Sequence, residues 1–449
     1  MGLPVVEFLK SRTLLRNAGL ALVLVVGGAM APAVALADEL DDCAAEAASR
    51  FEEAGANREN DVVDTARAIE MCMAAVEANP SSVEAKAWLG NAYYQAERYD
   101  DAAPLLEAAA KKSNLLAQAL YGNMLLTGMG VREDPTQGVK YLRRSANADF
   151  PVGQLYLGRA YDYGYGVDQS YETAVEWYTK AADQGHARAQ ATLAIMYHDG
   201  FGVAQDYDKA FELYKAASDQ NDYFGHYGVG QFYENGYGVE QDYAQAAEYY
   251  GKAVEFDDPY AENALGYLLD NGLGVDQDWA RAAELFEAAS ERYSLAKANL
   301  GFMYEMGRGV EQDYEKAAEL YQDAADQGET MAYTNLGNLY IDGYGVPQDY
   351  DKALELSQIG ADGGDGYAMN NIGHLYEHGL GVDVDYEMAR QYYQQSADLG
   401  VQLGIDNLAE LEDFLAGQGE PEPEPESEPE PEPEPDPEPQ PDKGGKLDN

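Results

Sequence analysis

The sequence predicts an all-α fold, an α-solenoid of stacked helix-turn-helix repeats, on three observations. A Gly-x-Gly-Val tetrad recurs along the chain, ending at Val131, Val167, Val203, Val239, Val275, Val310, Val346 and Val382. The spacing is 36 residues throughout, with one interval of 35, and a period of this size marks a repeat array. Between tetrads the apolar residues recur at helical spacing, and no strand-like run precedes any copy. A single Gly-x-Gly would suggest a phosphate-binding loop, but eight copies in register without a preceding strand make it a turn.

The chain opens on a leader, residues 1–37. Lys10, Arg12 and Arg16 make a positive start, an apolar run extends from Ala18 to about Ala31, and Ala35-Leu36-Ala37 is a small-x-small cleavage site before Asp38. This is the layout of a secretory signal peptide. It predicts a periplasmic or secreted protein cut after Ala37, with no transmembrane segment in the mature chain.

Residues 38–116 precede the array and have a different period. Ala87-Trp88-Leu89-Gly90, then Tyr93, Ala102, Leu106 and Ala109, resemble a tetratricopeptide repeat. Ala68, Cys72, Ala75 and Pro80 fall one period earlier. Cys43 and Cys72, the two cysteines of the chain, are equidistant from a turn expected at Gly55 to Arg58. Residues equidistant from the turn of an antiparallel helical hairpin lie side by side, so an exported chain is expected to bridge them.

The array occupies residues 117–416, eight repeats and a capping helix. In the unit from Val310 to Gly345, Asp313 caps a helix carrying Ala317, Leu320, Tyr321, Ala324 and Ala325 on one side. Gln327-Gly328 ends it, and a second helix follows from about Thr330 to Ile341. The pattern of Leu-Gly, tyrosine, Gly-x-Gly-Val, Asp, Lys-Ala and Ala-Ala resembles the Sel-like repeat family of the tetratricopeptide superfamily. That resemblance implies a right-handed solenoid and an adaptor acting in envelope signalling, secretion or polysaccharide assembly. Ser170 in a capping slot and Asn221 in a glycine slot depart from the pattern locally. Val401 to Leu415 reads as the capping helix.

Residues 417–449 form the tail. Glu420 to Pro441 has no apolar residue other than proline and is expected to stay disordered and extended.

Charge bounds the partners. The chain has 29 Lys and Arg against 81 Asp and Glu, a net charge of −52, which argues against nucleic acid and anionic lipid. Glu176, Glu212, Glu248, Glu284, Glu319 and Glu355 share one register and predict an acidic stripe that steers a basic protein partner. Lys209, Arg281, Lys316 and Lys352 lie three residues before four of them and offset part of it. Tyr163, Tyr165, Tyr223 and Tyr237 fall at variable positions and are candidates for the contact area.

Catalysis finds less support. His374-Leu375-Tyr376-Glu377-His378 has the order of an inverted zinc-peptidase motif. The Glu377 slot, however, holds Asp162, Glu234, Asp270 and Glu305 in other repeats, and the His374 slot holds Gln231, Phe302 and Asn338. The expectation is a monomeric binding protein without catalytic residues, metal or cofactor. A secreted hydrolase of the cysteine-rich β-lactamase-like branch and a structural envelope spacer are the rival readings.

Overall fold

The structure is a computed structural model that describes residues 33–48, Glu52 and residues 64–416. The leader up to residue 32, the turn expected at Gly55 to Arg58 and the expected disordered tail lie outside the described residues. The described residues form 21 helices, α1 to α21 in chain order, and no strand. The first four are α1 (Ala33–Ala47), α2 (Thr65–Ala78), α3 (Val83–Gln95) and α4 (Tyr99–Ala110). In the array the odd helices are α5 (Leu115–Thr127), α7 (Pro151–Tyr163), α9 (Ala187–Asp199), α11 (Tyr223–Asn235), α13 (Pro259–Asn271), α15 (Ser294–Met306), α17 (Thr330–Asp342) and α19 (Gly366–His378). The even ones are α6 (Pro135–Asn147), α8 (Tyr171–Asp183), α10 (Tyr207–Ser218), α12 (Tyr243–Val254), α14 (Trp279–Ser290), α16 (Tyr314–Asp326), α18 (Tyr350–Asp362) and α20 (Tyr386–Asp398), followed by α21 (Gln402–Leu415). The chain divides between Glu329 and Thr330 into two compact units, so that α1–α16 belong to the first and α17–α21 to the second.

Each odd helix packs on the even helix that follows it. In the first unit odd helices also meet one another, α5 with α7, α9 with α11 and α13 with α15.

The tetrad loop shows how the sequence turns the chain. Gly200 ends α9 in the left-handed region, φ 75°, and its N–H donates to Met196 O. Gln205 Nε2 donates to His198 O at 2.6 Å, and the Asp206 N–H donates to Tyr197 O at 2.9 Å. The Asp206 carboxylate then accepts the Lys209 N–H at 2.9 Å and opens α10. Backbone groups that a helix end leaves unpaired are thereby satisfied on both sides of the turn. The departures keep the same geometry. Ser170 Oγ accepts from Thr173 N at 3.2 Å, and Asn221 takes the left-handed conformation that glycine takes elsewhere, φ 62°.

The second tetrad glycine does a different job. Gly166 has φ 68°, and a Cβ placed on it would lie 2.5 Å from the carbonyl oxygen of Pro135, the first residue of α6. Gly130, Gly202, Gly274, Gly309 and Gly381 approach the first residue of an earlier even helix in the same way. Each of these loops therefore rests on the start of the preceding repeat's even helix, and only glycine allows that approach.

Inside a repeat, a helical glycine accepts an aromatic ring. Gly158, Gly230, Gly301 and Gly373 lie under Tyr178, Tyr250, Tyr321 and Tyr393, all fully buried. The four hydroxyls donate to acids on the preceding helix: Tyr178 to Asp162 at 3.0 Å, Tyr321 to Glu305 at 2.6 Å, Tyr393 to Glu377 at 2.7 Å, and Tyr250 to Glu234. Burial pushes the Tyr178 and Tyr250 hydroxyls well above the usual tyrosine range, so they donate at any neutral pH.

At the N-terminal end, Cys43 and Cys72 form a disulfide between α1 and α2, both cysteines fully buried. Closing a loop of this length contributes about 3–4 kcal/mol in the chain-entropy model. The first helix starts at Ala33, so cleavage after Ala37 would trim its first turn and leave Cys43 in place.

Two stability outcomes follow from these contacts. Gly166→Ala should cost about 2 kcal/mol or more, from left-handed strain and the Pro135 clash. Gly251→Ala, in the interior of α12 with nothing within 4 Å of the added carbon, should gain about 0.5–1 kcal/mol. Urea-unfolding midpoints measure both, and equal effects would contradict the contact. Asp258 caps α13 while 4% exposed, and burial pushes its carboxyl from the usual 3.8 up to about 6. The native state therefore holds the proton more tightly than the unfolded one, and this residue's contribution to stability falls as pH rises from about 4 to 6. Asparagine keeps the cap. Asp258→Asn should match the wild type near pH 4 and exceed it by about 1–3 kcal/mol above pH 7, read from unfolding midpoints across pH.

Candidate functional site

The first unit carries a cavity of about 160 Å³ between α7, α9 and α11. Tyr163, Arg159 and Asp162 come from α7, Arg188, Ile195 and Met196 from α9, and Tyr223 and Phe224 from α11. Helical spacing explains the set: Arg188, Thr192 and Ile195 recur at intervals of four and three along one face of α9.

Two guanidinium groups give the cavity its charge. Arg188 Nε donates to Asp222, the N-cap of α11, at 2.9 Å. Its guanidinium stands 4.4 Å from the Tyr223 ring centre and 4.3 Å from that of Phe224, within cation–π range. Arg159 lies 5.8 Å from the Tyr156 ring and has no ion pair among the described residues. Asp162 is the acid in the lining, and its Oδ2 accepts the Tyr178 hydroxyl. Burial raises its carboxyl above the usual range. Burial, with Asp162 adding to it, pushes Tyr163 up to about 12.

From the cavity a run of half-buried rings continues along the starts of the odd helices. Tyr223 and Phe224 are 4.6 Å apart between centres, Tyr227 and Tyr260 6.2 Å, and Tyr260 and Tyr293 4.6 Å. These distances are those of interacting aromatic pairs.

Of the tyrosines singled out from sequence, Tyr163 and Tyr223 line the cavity, and Tyr165 lies 5.7 Å from Tyr163. Tyr237 instead stacks on Tyr207 at 5.1 Å, beside His198, and is spent on packing its loop against the preceding repeat. The six stripe glutamates are exposed on even helices, and none of them lines this cavity. Five of them are paired: Glu212 with Lys209 (3.3 Å), Glu248 with Lys252 (2.7 Å), Glu284 with Arg281 (2.6 Å), Glu319 with Lys316 (3.5 Å) and Glu355 with Lys352 (3.0 Å). Glu176 has no ion pair among the described residues. Local pairing therefore takes more from the stripe than the spacing alone suggests.

Arg159, Arg188, Phe224 and Tyr260 were not picked out by sequence. A signal existed for one of them. Arg159 follows the ring-seating glycine, and the same slot holds Ile195, Gln231, Tyr267, Phe302, Asn338 and His374. A slot that varies while its neighbours keep the repeat points outward from the packing. His374 belongs to this slot, and Glu377 is the acceptor of Tyr393, which gives the zinc-peptidase spacing a structural origin. The rings of His374 and His378 are 4.3 Å apart, and among the described residues no group of three or more His, Cys, Asp or Glu side chains is placed to hold a metal. No helix among the described residues is long and apolar enough to cross a membrane.

Comparison with known proteins agrees with this architecture. The family model described as the Sel1 repeat matches residues 115–150, 151–186, 187–222, 224–255, 259–293, 294–329, 330–365 and 366–401. Similar solved structures include a protective antigen of uropathogenic Escherichia coli strains displaying an SLR fold, at 27% identity, covering 85% of this chain and 91% of that one, TM-score 0.49. Another is a Sel1 repeat protein from Oxalobacter formigenes, at 28% identity over 69% of this chain and 89% of that one, TM-score 0.46. The comparison with curated proteins gives no match. With eight matched repeats over more than half of its length, the chain belongs to the Sel1 repeat family.

Proposed function

We propose that this chain is an exported scaffold, without catalytic activity, that holds a partner protein on the odd-helix face of its first unit. Sel1 repeat proteins are typically scaffolds for protein interactions. The observation that carries the placement is the run of half-buried rings from Tyr223 to Tyr293, because rigid rings with polar tips suit protein interfaces. The leader pattern of residues 1–37 and the Cys43–Cys72 disulfide support export to a periplasmic or extracellular setting. A net charge of −52 favours a partner of basic net charge, steered by the field of the whole chain more than by the paired glutamate stripe.

Site-specific photocrosslinking tests the placement. A benzophenone amino acid put at Tyr260 or Tyr223 should give a discrete crosslinked species in the exported fraction. The same group at Glu284 or Glu319, on even helices, should not. Crosslinks arising from the even helices alone would overturn the proposal.

A further inference from the structure

We infer that the cavity between α7, α9 and α11 is an anchor site for the carboxylate side chain of a glutamate or aspartate presented by the partner protein. The inference rests on the proposed scaffold reading and specifies what one point of the interface takes. Charge is the first argument. In a chain of net charge −52, this cavity is lined by two arginines and one acid. The acid, Asp162, is 9% exposed and turned to the Tyr178 hydroxyl, and Arg188 is held by Asp222 and two rings. That leaves the Arg159 guanidinium facing the cavity without an ion pair among the described residues. Arg159 acts on Asp162 at a distance but forms no ion pair with it, and a planar fork of donors left unpaired matches a carboxylate better than any neutral group.

Size is the second argument. About 160 Å³ lies below the ~300–1,000 Å³ of pockets that enclose a drug-sized ligand. It suits one side chain, with Ile195 and Met196 covering the methylene stem and Tyr163 and Tyr223 closing the sides. Net attraction of a basic partner and local capture of one of its acids act at different ranges and do not conflict. The field sets the encounter, whereas the short charge-assisted hydrogen bond sets the register.

The test uses the full chain with methyl-labelled Ile and Met, and N-acetyl-glutamate methylamide as the probe. N-acetyl-glutamine methylamide has the same shape without the charge. The Ile195 and Met196 methyl resonances should shift saturably with the glutamate probe, with about tenfold weaker binding of the glutamine probe. Arg159→Gln should abolish that preference while leaving the remaining methyl spectrum unchanged. Equal binding of the two probes, an unchanged preference in the variant, or no shift of these methyls up to about 50 mM would overturn the anchor. Such a result together with persistent crosslinks from Tyr260 would remove this site and leave the scaffold standing.

Discussion

A tyrosine hydroxyl buried among alanines must be given an acceptor, and in this chain a carboxylate sixteen residues earlier supplies it. The pair ties the two helices of a repeat at a fixed height, and the glycine beneath the ring sets how closely they approach. The two positions do not always change together: Tyr214 keeps the ring where the acid slot holds His198. Where Phe286 replaces the tyrosine, Asp270 has no hydroxyl to serve and pairs with Arg308 at 3.3 Å instead. Where Ser357 stands in the ring's place, the acid slot holds Ile341. Burial raises the cost of leaving the acid unpaired.

The tetrad governs the other direction, between repeats. Its first glycine stops a helix, and its second lets the loop lie on the preceding even helix. With packing assigned to these fixed positions, the positions beside them are free to differ. The slot after the ring-seating glycine is one of them, and in the first unit it supplies Arg159 and Ile195 to the cavity. On the proposed reading, recognition is carried by residues that leave the repeat, and stability by those that keep it.

The period, the caps and the helix pairs were legible in the sequence because each is a local pattern repeated many times. The Cys43–Cys72 pairing was legible because symmetry about a hairpin turn fixes it without tertiary knowledge. The acid before five of the eight tetrads was visible as a recurring residue, but its partner was not, since the link to the tyrosine crosses a helical hairpin. The Glu248–Lys252 pair was missed because its base lies four residues after the acid, and the other stripe pairs have it three before. The cavity was illegible for a similar reason. Arg159, Arg188 and Tyr223 come from three repeats, and no spacing within one repeat brings them together.

The central claim is that the tyrosine and its acid act as one unit inside the repeat. A double-mutant cycle on Tyr321→Phe and Glu305→Gln, followed by urea unfolding, tests it most directly. The account predicts a coupling of about 1–3 kcal/mol, the range of a hydrogen bond to a buried charged group. Additive effects within about 0.5 kcal/mol would contradict it.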